Sequence, residues 1–179
     1  MRALDLTATW PVPAVSAAVL RGGAVVDRAG DGARVQRLAS LTKPMAAWAI
    51  MVGVEEGVVA LDDPVGQPGC TLRHLLAHAG GYPFDGRVPI AEPETTRIYS
   101  NGGFDLAAAH LEQAAGMPFA DYLRAAVFEP LAMTSSTLPG SPAHGVRSSL
   151  DDSCRFLAEV MRPRLLDPTS AEDVRRVHY

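Results

Sequence analysis

Four residues carry the chemical content of this chain: Ser40, Lys43, Tyr99 and Asn101. Lys43 is the only lysine, and the rest of the 16 basic residues are arginine. Arginine keeps its proton in proteins, whereas a buried lysine can be tuned to a neutral base. Ser40 lies three positions earlier, and on a helix residues i and i+3 stand one above the other on the same face. The spacing lets an amine take the proton of a hydroxyl, which is the logic of an activated serine nucleophile. Tyr99 and Asn101 add a phenol and a carboxamide ahead of a predicted helix. Taken singly, each pattern has a plainer reading. Ser-x-x-Lys describes many serine caps followed by a solvated lysine, and a tyrosine before a helix is often a half-buried aromatic with a bonded hydroxyl. The combination is what carries weight.

These residues need elements to hold them. Residues 40 to about 56 read as a helix that is apolar nearly all round, the pattern of a helix buried at the centre of a fold. Pro44 sits near its start, where proline is tolerated. Ser40 is thereby placed at a helix N-terminus, where free N–H groups and the dipole favour an oxyanion. Upstream, residues 14–20 and 24–28 are strand candidates around Arg21-Gly22-Gly23, with 33–38 predicted to extend the pairing. Downstream, a short helix is predicted over Thr71–His78, capped by Thr71 and stopped by Gly80-Gly81. Its His74 and His78 have an i, i+4 spacing. Leu75 stands where the metalloprotease pattern requires glutamate, so a hydrogen-bonded structural pair is predicted and no metal site. Residues 82–98 hold three prolines and no period, and form a predicted irregular loop. Helices are then expected over about 104–115, 119–128, 149–162, and from Ser170 to the chain end.

Composition narrows the function classes. A chain of 179 residues, 47% apolar and 20% charged, reads as one globular domain, with strands over 1–39 and a helical lobe over 40–179. Net charge is −4 without a basic block, which argues against nucleic acid or an anionic membrane as partner. The longest apolar run, Pro44 to Val54, is too short to span a bilayer, and no export signal is evident, so a soluble cytoplasmic protein is expected. Cys70 and Cys154 are too few for a disulfide framework and read as buried small hydrophobes, although one bridge is compatible with the sequence. No cofactor is implied.

Four segments occur in one order: Ala39-Ser40-Leu41-Thr42-Lys43-Pro44, Leu75-Leu76-Ala77-His78-Ala79-Gly80-Gly81, Ile98-Tyr99-Ser100-Asn101-Gly102-Gly103-Phe104 and Pro130-Leu131-Ala132-Met133. That order resembles the serine β-lactamase and penicillin-binding-protein superfamily, most closely its class C-like branch of esterases and D-amino-peptide hydrolases, over roughly residues 14–175. The resemblance implies an α+β fold of the β-lactamase/transpeptidase type, with N-terminal antiparallel strands beside a mostly helical lobe. It implies Ser40 as acylated nucleophile, Lys43 as activating partner, Tyr99 as general acid/base, and Asn101 orienting the lysine and the substrate oxygen. His78 matches a structural position, while Ala79 and Gly80 replace the usual Thr and Ser.

Members of this family also carry a Lys- or His-x-Gly triad on a strand at the far wall of the site. His144-Gly145-Val146 and His178-Tyr179 both fail that pattern. The C-terminal strands of the sheet are therefore expected to be missing, leaving an exposed sheet and a possible homodimer through it. Two functions follow from the resemblance. One is a serine hydrolase acting on a small ester or amide through an acyl-enzyme on Ser40. The other is a non-catalytic relative acting as a binding module or inactive fragment.

Overall fold

The computed structural model describes residues 3–179. After a 3₁₀ turn at Ala3–Thr9, β1 (Ala17–Arg21) and β2 (Ala24–Ala29) form an antiparallel hairpin. Gly22 and Gly23 make its turn at φ 56° and 82°, the left-handed backbone that a two-residue I′ hairpin requires. A bulge between Val19 and Leu20 shifts the register.

The segment at 33–38 does not extend this hairpin. Its Gln36–Arg37 (β3) pairs antiparallel with Arg147–Ser148 (β4) in a separate two-stranded sheet. The strand at Arg147–Ser148 has no signal in the sequence. Two-residue strands carry no alternation to read. They exist because a distant loop closes on the start of the central helix: Leu38 N–H donates to Val146 O (2.9 Å) and Val146 N–H to Thr42 Oγ1 (3.0 Å).

The central helix α1 (Thr42–Glu55) continues from a 3₁₀ turn at Ala39–Leu41, and it buries Met45, Ala46, Trp48, Ala49, Ile50 and Met51. Around it lie α2 (Leu72–Leu76), α3 (Asn101–Ala115), α4 (Phe119–Leu123, running on as a π turn to Phe128), α5 (Leu150–Met161) and α6 (Pro168–Arg175). Trp48 meets Phe156 of α5 edge-on at 5.9 Å, a favoured aromatic geometry, and donates its indole N–H to the buried Glu159 carboxylate (3.3 Å). That carboxylate also accepts the N–H groups of Arg164 and Leu165, so it ties the chain after α5 to the core.

Helix boundaries follow their caps. Ser100 Oγ accepts from Gly103 N–H (2.9 Å), so α3 begins at Asn101 and not at Phe104, and left-handed Gly116 (φ 67°) ends it. Ser149 caps α5. Helix α6 begins before Ser170, capped by Asp167 with Pro168 in its first turn, and stops at Arg175 short of the chain end. Helix α2 ends at Leu76, ahead of the glycines. Cys70 and Cys154 are both buried and unbridged. No helix among the described residues is long and apolar enough to cross a membrane.

Candidate active site

Lys43 sits in the first turn of α1, buried, and its amine reaches three groups. Nζ lies 2.6 Å from Asn101 Oδ1, 3.0 Å from Ala143 O and 3.5 Å from Ser40 Oγ. The first two are pure acceptors and take two N–H bonds. The remaining direction faces the serine, which is exposed at the tip of the 3₁₀ turn. Tyr99 closes the group from above: Nζ stands 4.5 Å from its ring centroid, within cation–π range. Burial works to raise the Tyr99 phenol, but hydrogen bonding with Ser40 and Lys43 and the lysine's charge outweigh it, holding the phenol below the usual tyrosine value. The structure thus brings together all four residues singled out in the sequence.

The backbone at the nucleophile is unusual. Ala39 has φ 48°, a left-handed conformation that costs a residue with a Cβ about 1–2 kcal/mol. Outliers of this kind concentrate at functional sites. The strained residue turns the chain so that Ser40 precedes α1 on the side of Lys43.

Tyr99 and Asn101 owe their positions to His78. Its Nδ1 accepts the Ser100 N–H (3.1 Å) and its carbonyl accepts Ile98 N–H (2.8 Å). Its ring packs on Tyr99 at 4.5 Å and Phe104 at 5.3 Å. Burial, with Arg97 and Lys43 nearby, depresses the imidazole to about 4, so it is a neutral acceptor at physiological pH. His78 also has φ 61°. His74 and His78 are both hydrogen-bonded, each to its own partners. His74 accepts Thr71 N–H at Nδ1 (3.0 Å) and bonds Glu94 through Nε2 (2.7 Å). No cluster of three metal-ligating side chains occurs among the described residues.

One polar partner was not anticipated from the sequence. Asp85, in the 82–98 loop, accepts Asn101 Nδ2 at 2.9 Å. A carboxylate can only accept, so it fixes the amide with its nitrogen outward and its oxygen on Lys43. Ala143 O was missed as well, since a backbone carbonyl leaves no mark in a sequence. The loop is tied down by Ser100 Oγ donating to Pro83 O (2.7 Å) and Asn101 N–H to Phe84 O (2.8 Å).

A serine, an amine, a phenol and a carboxamide thus converge at the head of a buried helix. The sequence profile of the Beta-lactamase family matches residues 6–176, and the chain belongs to that family. Its fold superimposes on a beta-lactamase from Mycobacterium bovis with a TM-score of 0.94 at 43% identity, covering 96% of this chain and 64% of that one. Penicillin-binding protein 4* of Bacillus subtilis is 31% identical over 132 residues, covering 55% of this chain and 29% of that protein. A D-alanyl-D-alanine-carboxypeptidase/endopeptidase, AmpH, of Escherichia coli is 27% identical over 172 residues, covering 73% of this chain and 42% of that protein. The chain therefore spans less than half the length of these two curated relatives and about two thirds of the solved one.

Proposed function

We propose that this chain carries the nucleophilic half of a serine hydrolase that cleaves an ester or amide through an acyl-enzyme on Ser40. The observation that supports this most is the surrounding of Lys43. With Asn101 and Ala143 each accepting one N–H, the remaining direction of the Lys43 amine faces Ser40 Oγ at 3.5 Å. In acylation, Ser40 Oγ bonds to the substrate carbonyl carbon and its proton passes to Lys43. The tetrahedral intermediate then expels the alcohol or amine, which Tyr99 protonates. Water, deprotonated by the same pair, releases the acid and restores Ser40. In this reading the Ser40 N–H, at the start of the helical turn, donates to the oxyanion. The similarity to the D-alanyl-D-alanine-carboxypeptidase/endopeptidase of Escherichia coli extends the reading to peptides ending in D-alanine as substrates.

A fluorophosphonate probe tests the reading. It is expected to label Ser40, shown by peptide mass spectrometry, and Ser40→Ala abolishes the adduct. Lys43→Arg lowers the labelling rate at least about 10²-fold, because arginine keeps the charge but cannot act as a base. An Arg variant as reactive as the native chain overturns the assignment of the lysine.

A second reading, a non-catalytic binding module, draws on the openness of the site: Ser40 and Leu41 are both exposed. Unlabelled native protein that folds cooperatively supports that alternative.

A further inference from the structure

The β3–β4 ladder sets Arg37 directly opposite Arg147. Like charges directly opposite one another on a ladder repel. Neither guanidinium pairs with a carboxylate among the described residues. Both line one cavity of about 220 Å³, together with His144 and Ser141. Arg37 Nη2 lies 3.3 Å from His144 Nδ1. A guanidinium only donates, so Nδ1 accepts and the ring carries its proton on Nε2 as a further donor. The cavity is thus furnished with donors and positive charge.

Its wall is preformed. Gly145 N–H and His144 N–H both donate to Ser141 O (2.7 and 3.1 Å), and a Cβ at Gly145 would meet Gly140 C at 2.7 Å. Ser141 Oγ donates to Asp105 (2.6 Å) and accepts Ala143 N–H (3.0 Å), so the serine engages that carboxylate. The cavity is linked to the candidate active site through the chain: Ala143, next to His144, gives its carbonyl to Lys43, and Arg37 precedes Ser40 by three residues.

We propose that Arg37, Arg147 and His144 bind a carboxylate carried on the acyl part of the substrate, so that anionic acyl groups are preferred over neutral ones. The proposal rests on Ser40 as the acylated residue, and two independent measurements separate the two ideas. The first is binding of free glutarate to the full chain, followed by the side-chain Nε–H resonances of Arg37 and Arg147. Glutarate shifts both, and Arg147→Gln or Arg37→Gln removes the response. The second is the ratio of kcat/KM for mono-4-nitrophenyl glutarate over 4-nitrophenyl butyrate. That ratio falls about tenfold in Arg147→Gln, falls further in Arg147→Glu, and is partly retained in Arg147→Lys. Absence of a glutarate response that depends on these arginines overturns the site, whether or not either ester is turned over. A glutarate response with an unaltered ester ratio also overturns the proposal, because it shows a site for free anions unconnected with the acyl group. Turnover of neither ester, with glutarate bound, counts against the Ser40 reading and leaves the anion site standing.

Discussion

Lys43 is held by two acceptors and faces a hydroxyl, and two further residues position the group around it. Asp85 is one of them. Its carboxylate prevents Asn101 from presenting its NH₂ to the lysine. Asp85→Ala is expected to slow probe labelling of Ser40 about five- to tenfold while leaving the melting temperature within a few degrees, because Asp85 is exposed. His78 is the other. Its folded pKa of about 4 lies below the unfolded value of 6.5, so the unfolded chain binds the extra proton first as the solution is acidified. The stability owed to neutral His78 is complete above about pH 6.5 and is lost as pH falls toward 4, a change on the order of 2 kcal/mol. Urea unfolding at pH 7 and pH 4.5 measures it. His78→Asn suits the left-handed backbone and should flatten the slope in that window; an unchanged slope would assign it to other groups.

Among the elements, the junction of α3 with the 82–98 loop does most to assemble the site. Gly102 lies against the loop backbone, and a Cβ there would stand 1.9 Å from Gly86 O. Neither atom belongs to a flexible side chain, so the loop must retreat, taking Asp85 and Phe84 with it. Gly103, one residue on, has room: its nearest neighbour would be Ser100 Oγ at 3.4 Å. Gly102→Ala is therefore expected to destabilise by about 1–3 kcal/mol and to lose labelling. Gly103→Ala should be neutral or stabilising by up to about 1 kcal/mol through helix propensity. Chemical denaturation of the two variants side by side checks the contrast, and equal losses would mean that the loop does not constrain the helix start.

For the whole molecule, the feature that stands out is the β1–β2 hairpin. Its strands pair only with each other among the described residues, and Val25 and Val26 are substantially exposed. Unpaired strand edges with apolar side chains are templates for association. The 179-residue chain is expected to self-associate through this hairpin, with a solution mass that rises with concentration in sedimentation experiments. Val26→Lys, which places a charge on the strand, should return it toward the monomer. A monomer at all concentrations would show that the hairpin is self-sufficient.

Sequence alone determined the parts of this protein that depend on local spacing and on residue chemistry. The unique lysine, its distance of three from Ser40, the apolar length of α1 and the Tyr99-x-Asn101 step were all legible, because helical periodicity and side-chain identity are written residue by residue. The hairpin around Gly22-Gly23 and the glycine stop at Gly116 were legible for the same reason. What only the tertiary structure decided are contacts between segments far apart in the chain. Asp85 on Asn101, Ala143 O on Lys43, and Arg37 opposite Arg147 involve a structureless loop, a backbone carbonyl and two-residue strands. The separate fates of His74 and His78 were decided in the same way. One sits on the cap of α2 and the other under Tyr99 because the short helix ends at Leu76, and His78 leaves it in a left-handed turn. None of these contacts has a period or a local signal, since each exists only where chain closure brings two unrelated stretches within bonding distance.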